Sequence, residues 1–135
     1  MFRKLSVTAC VLTFGLIVPI LEINDTHLFN PLWPAHARLH EAWQLMTNGA
    51  LAATCLWLVW LQQRVRLASV LGLIVTGGFL AAYATRVAYG GSMLHTDGTE
   101  LRALGANAAV LVMGAASALL TLMLFVPANA RSGTR

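Results

Sequence analysis

The chain has 135 residues, of which 58% are hydrophobic and 10% charged. A soluble domain carries about 25% charged residues, so this composition excludes an ordinary soluble globule and points to a membrane protein of one domain. The net charge of +4 is scattered at the flanks of apolar runs and forms no stripe interleaved with aromatics, so no nucleic-acid partner is expected.

Crossing a bilayer takes about 20 apolar residues, and the sequence offers four such runs. The first is 5–23, with Pro19 near its far end. Phe2-Arg3-Lys4 ahead of an apolar run has the look of a signal peptide, and Val7-Thr8-Ala9-Cys10 that of a lipoprotein box. Yet the run follows Cys10, and no small-x-small site follows Leu21, so it reads as a retained span. Cys10 and Cys55 lie inside apolar runs and read as small buried residues.

The second span covers about 36–61. Asn30-Pro31 and Trp33-Pro34 precede it as helix-start signals, because proline suits a first turn where its missing N–H would be unpaired anyway. The link Gln62-Gln63-Arg64-Val65-Arg66 is short, so the third span, 67–89, should fold back as an antiparallel hairpin partner. The fourth span is about 101–126. Asp97 and Glu100 before it have capping-box spacing.

Arg3, Lys4, Arg64, Arg66, Arg131 and Arg135 share one side of this topology. The positive-inside rule makes that side, with both termini, cytoplasmic. Trp57 and Trp60 mark the inner interface; Trp33, Trp43, Tyr83 and Tyr89 mark the outer one. All five acids and all four histidines fall on the outer side. The expected fold is all-α: an integral four-helix membrane bundle in a bacterial inner membrane, with any site opening outward.

Residues advance by about 100° each around a helix. His36, His40, Gln44 and Asn48 therefore form a slowly drifting row on the second span, with Glu41 and Thr47 nearby. The row reaches roughly 18 Å down the helix at about 1.5 Å per residue. Polar groups at membrane depth are costly unless they face protein or water, so this arc should point into the bundle. Below Asn48 the helix turns apolar, with Gly49 and Ala53 as a close-packing pair.

Other spans can add to the pocket: Glu22 from the first, Tyr83 and Arg86 from the third, Asn107 from the fourth, and His95 from the last loop. Arg86 in an apolar span calls for a carboxylate, with Glu22, Glu41 and Glu100 the candidates. His36 and His40, four residues apart on one face, have a spacing that suits a divalent metal. Glu41, His27, His95 or Asp97 would supply further ligands. Without metal, His36, His40 and Glu41 remain candidates for general acid–base work, with Arg86 orienting an oxygen.

The stretch Asn30-Pro31-x-Trp33-Pro34-x-His36-Ala37-Arg38-x-His40 resembles one carried after the first helix by a group of small four-span bacterial membrane proteins of unknown function. That resemblance implies the topology and no activity. In architecture the chain is more loosely similar to the four-helix bundle of sterol isomerases and sigma-2-type receptors. They hold carboxylates and a histidine in a lipid-accessible pocket, and His40, Glu41, Glu22 and Arg86 would play comparable parts.

Two readings follow. In one, the protein is an acid–base or metal-assisted isomerase or cyclase acting on a small lipophilic substrate. In the other, it is a non-catalytic lipid or metabolite binder, or an accessory subunit of a membrane complex. Membrane lipid is a partner in both, and a homo-oligomer is compatible with both. The dry inner half disfavours a channel.

Overall fold

The computed structural model describes residues 1–127 and is mostly helical. Arg131 and Arg135, assigned above to the cytoplasmic side, lie outside the described residues. Helix α1 spans Phe2–Leu12 and continues through a π-helical turn, Thr13–Ile17, into α2, Val18–Glu22. Helix α3 is Ala35–Trp60, and α4 is Val65–Thr85, extended by a 3₁₀ turn, Arg86–Tyr89. A two-residue hairpin, β1 (Arg102–Ala103) with β2 (Ala106–Asn107), leads into α5, Ala108–Phe125.

Three helical stretches are long and apolar enough to cross a membrane: Phe2–Glu22, Val65–Tyr89 and Ala108–Phe125. Only 28%, 22% and 22% of their most apolar stretches are buried, so most of their apolar surface has no protein cover. Soluble monomers rarely leave contiguous surface of this kind bare, and lipid is its natural solvent. Helix α3 is long enough but is not among the three, because its first half carries the polar row.

Helix α4 packs most extensively against α5, while α3 lies against α4 and the π turn; α1 touches α3, α4 and α5. The core is built from Val7, Val11 and Phe14 of the first helix, Cys55 and Val59 of α3, and Leu120 and Met123 of α5. Both cysteines are free and buried. Their thiols point at carbonyls of neighbouring helices, Cys10 at Ala116 and Cys55 at Ala68. Inside the α4–α5 contact, Ser117 Oγ donates to Thr76 Oγ1 at 2.8 Å, and Thr76 in turn donates to the Gly72 carbonyl.

Close approach is made by glycines other than the expected pair. A Cβ on Gly15 would collide with Ala52 of α3, whereas one on Gly49 would meet nothing. The first helix therefore reaches α3 through its π turn, where Gly15 sits beside the fully buried Phe14. Extra residues in a helical turn swing side chains out of register, and such turns recur at functional sites.

The last helix starts later than 101. Leu104 and Gly105 have φ of 50° and 81°, the left-handed pair that a two-residue hairpin requires. Leu104 is 99% exposed, so the apolar letters of 101–106 form a loop. The capping box also fails. Asp97 accepts from the amide and hydroxyl of Thr99 within its own loop. The true cap of α5 is Asn107, whose Oδ1 accepts from the Val110 amide at 3.2 Å while its Nδ2 donates to Glu100.

Candidate functional site: an acidic cavity between the helices

The turn after α2 brings the chain back toward the helix it has just left. Asn24 donates its side chain to the Leu21 carbonyl and accepts from Thr26, and the Leu28 amide returns to the Glu22 carbonyl. Asn30 closes the loop. It is 2% exposed, donates to the Thr26 carbonyl and to Thr96 Oγ1, and accepts from the Leu32 amide. It therefore ties the loop after α2 to the loop before α5, a role that its place before a proline concealed.

Inside this end of the molecule lies a cavity of about 440 Å³. Its walls are mostly apolar, including Phe14, Val18, Val75, Phe79 and Met113. Four polar side chains break them: Glu22 from α2, and Glu41, Gln44 and Asn48 from α3. Both carboxyls open onto the same cavity. The size falls within the range of about 300–1,000 Å³ typical of small-molecule sites, as does the pattern of apolar walls with a few polar anchors.

Glu22 faces a second partner. Its Oε2 lies 3.1 Å from His27 Nε2. The other nitrogen, Nδ1, is 2.8 Å from Thr26 Oγ1. The His27 ring also meets Trp33 and His95 edge-on, at 5.7 and 5.0 Å between centroids. Burial, with a smaller contribution from His95, holds the His27 imidazole below its ordinary range. A carboxylate at 3.1 Å favours the charged ring, but desolvation prevails. Thr26 has one hydroxyl proton and two acceptors, Asn24 Oδ1 at 2.6 Å and His27 Nδ1. When the hydroxyl serves Asn24, the imidazole proton sits on Nδ1, and Glu22 must bring the proton of the shared bond. When it serves His27, Nε2–H donates to Glu22. In either arrangement one proton lies in the Glu22–His27 bond, on the carboxyl in the first and on the imidazole in the second.

The polar row divides. Glu41, Gln44 and Asn48 line the cavity, whereas His36 and His40 are exposed and do not. Leu45, Ala52, Cys55 and Val59 define the inward face of α3, and that face carries the 41/48 side of the row. The two imidazoles bond each other, Nε2 to Nε2 at 3.0 Å, and His40 leans on Trp43. The expectation that the whole row points inward is therefore corrected for this pair. Among the described residues no three His, Cys, Asp or Glu side chains group as a metal would require; His36 and His40 stand as a pair.

Arg86 is also corrected. Its guanidinium stacks on the Tyr83 ring at 4.0 Å and donates to the Tyr83 carbonyl at 2.7 Å. The ion pairs among the described residues are Glu22–His27 and Glu100–Arg102, so none of the three candidate acids serves Arg86. Neither Tyr83 nor Arg86 lines the cavity, and Asn107 is spent on capping. His95 reaches the site only through His27.

No family model, curated protein or solved structure matches the chain.

Proposed function

We propose that the protein is a membrane enzyme that moves a proton on a small lipophilic substrate, with Glu22 and Glu41 as its acid–base pair. The observation that carries this reading is the double role of Glu22. It lines an apolar cavity beside a second carboxyl and shares a proton with His27 behind it. One carboxyl delivers a proton to one carbon of a double bond while the other carboxylate takes a proton from the carbon attached to the far carbon of that double bond. The substrate leaves with its double bond shifted and no change in composition. Gln44 and Asn48 hold a polar group of the substrate, and His27 resets Glu22 against the loop side. Desolvated carboxyls working as a coupled pair are an established route to such chemistry.

In this reading four helices, α3 included, form a membrane bundle. Its basic end faces the cytoplasm of a bacterial cell and its cavity faces outward, as the distribution of Lys and Arg supports. The likeness to sterol isomerases agrees with two carboxyls in a lipid-accessible pocket but rests on architecture.

The experiment lets the substrate identify itself. Purified protein in nanodiscs is incubated in D₂O with a bacterial lipid extract, and the lipids are examined by mass spectrometry. Deuterium should enter the carbon frame of one lipid class with the native protein and not with Glu22→Gln/Glu41→Gln. No enzyme-dependent deuterium would sink the catalytic reading. A lipophilic molecule that co-purifies with the native chain and is lost with Glu41→Leu would then favour the second reading, a non-catalytic binder, which the apolar walls also suit.

A further inference from the structure

The opposite end of the molecule holds a larger cavity, about 860 Å³, that the proposed reaction does not use. Arg3 and Lys4 line it from the start of α1, and Arg64 and Arg66 from the cap and first turn of α4. Its remaining lining includes Phe2, Leu67 and Val126, apolar residues at the helix ends. Four cations from two separate segments thus surround one space. All five acids of the sequence lie in 22–41 and 97–100, at the other end.

Among the described residues, no carboxylate pairs with any of these cations. Arg3 donates one Nη to the Met123 carbonyl at 3.1 Å, but its Nε is buried with no partner among the described residues. Lys4 sits over the Trp60 ring at 5.2 Å, and Arg64 and Arg66 are exposed. The first-turn amides of α4 have no intrahelical acceptor and add the positive end of the helix dipole. Arginine forks match the oxygens of a phosphate two at a time. A cluster of this kind wants an anion with several oxygens, attached to something apolar.

We propose that this cavity binds the phosphate of an anionic phospholipid, with Arg3, Arg64 and Arg66 holding the phosphate and the apolar rim receiving the first acyl carbons. The lipid choice over a free phosphate rests on Phe2, Leu67 and Val126, which a soluble ion would leave unused. It also rests on the position of the cavity at the ends of apolar helices, at headgroup depth.

Native mass spectrometry of the full chain in detergent tests this, with phosphatidylglycerol and phosphatidylcholine as paired probes and inorganic phosphate as competitor. One phosphatidylglycerol should stay bound through activation that strips phosphatidylcholine. Each Arg→Gln change at 64 or 66 should cut retention about fivefold, as expected for one cation at an anionic surface. Both side chains are exposed, and an unchanged melting temperature without lipid confirms that the variants are folded. Arg3→Gln should weaken retention further in the double variant. Equal retention of the two lipids, or retention indifferent to Arg64→Gln/Arg66→Gln, overturns the proposal. So does loss of phosphatidylglycerol to millimolar inorganic phosphate, which would assign the cavity to a soluble anion.

Discussion

Glu22 Oε2 and His27 Nε2, 3.1 Å apart, join the wall of the acidic cavity to the loop that follows α2. The imidazole is held below its ordinary range, while in the unfolded chain it returns to about 6.5. In the window between the two values the folded state therefore binds fewer protons than the unfolded one. This part of the stability is complete above about pH 6.5 and is lost as pH falls through the window. His27→Gln removes this loss, so between pH 7.5 and 5.5 in detergent the variant's melting temperature should fall less, or rise more, than that of the native chain. A variant with the native slope would remove His27 from the account.

The π turn makes a second prediction. Gly15→Ala should destabilise by about 1–3 kcal/mol, the usual cost of overpacking, because the new methyl meets Ala52. Adding Ala52→Gly should restore most of the loss. Gly49→Ala, at the glycine with open space around it, should be neutral or slightly stabilising. Thermal unfolding of the four variants decides the matter, and additivity of Gly15→Ala and Ala52→Gly would show that the two helices do not meet there.

The cavity polar groups should cost stability. Glu41 is half-buried and has no ion-pair partner among the described residues. Glu41→Leu should raise the melting temperature by the equivalent of about 1 kcal/mol while abolishing deuterium incorporation. Stability traded against function is the common pattern when an active site is filled with apolar atoms. A destabilised Glu41→Leu protein would mean that the carboxyl serves packing.

His36→Ala/His40→Ala, by contrast, should leave both folding and deuterium incorporation unchanged. Neither ring lines the cavity, and both are exposed. A loss of activity larger than about twofold would return the pair to the site and reopen the metal assignment.

The loops offer a third kind of test. Asn107→Ala removes the cap of α5 and should cost about 1 kcal/mol. Asn30→Ala leaves the Leu32 amide and the Thr26 carbonyl without their partner and should cost about 1–3 kcal/mol. Hydrogen exchange should then rise in both loops for Asn30→Ala, and only around 100–110 for Asn107→Ala.

How much of this is legible in the sequence differs from element to element. Helices α1, α4 and most of α5 follow from apolar length alone, since nothing competes with a run such as 67–82. The polar row of α3 emerges from counting residues around the helix. What counting cannot supply is which side of the helix the neighbours occupy. Leu45, Ala52 and Cys55 set that side, and it falls between Glu41 and Asn48 instead of at His36. Arg86 misleads for a related reason: a cation in an apolar run suggests a distant acid, but Tyr83, one turn back, is enough. The late start of α5 is written in Leu104-Gly105, whose turn conformation outweighs the hydrophobicity of the flanking letters. Glu22 stands out as an acid at a helix end. Its bond to His27 depends on the turn through Asn24 and Thr26, which periodicity does not report.

The uneven polarity of α3 bears on how the chain enters a bilayer. A segment is released sideways into lipid on its own only if its summed transfer energy is favourable, and Glu41, Gln44 and Asn48 in the first half of α3 weigh against that. Helix α4, by contrast, is predominantly apolar and carries no acid, and only 61–64 separate it from α3, with Gln63 in a left-handed turn. In the four-span arrangement α3 should therefore wait at the insertion machinery until α4 has emerged, and the two should partition together as a hairpin. Glycosylation mapping of truncated chains would see this as a second span that becomes stable only once residues up to about Thr85 have been made.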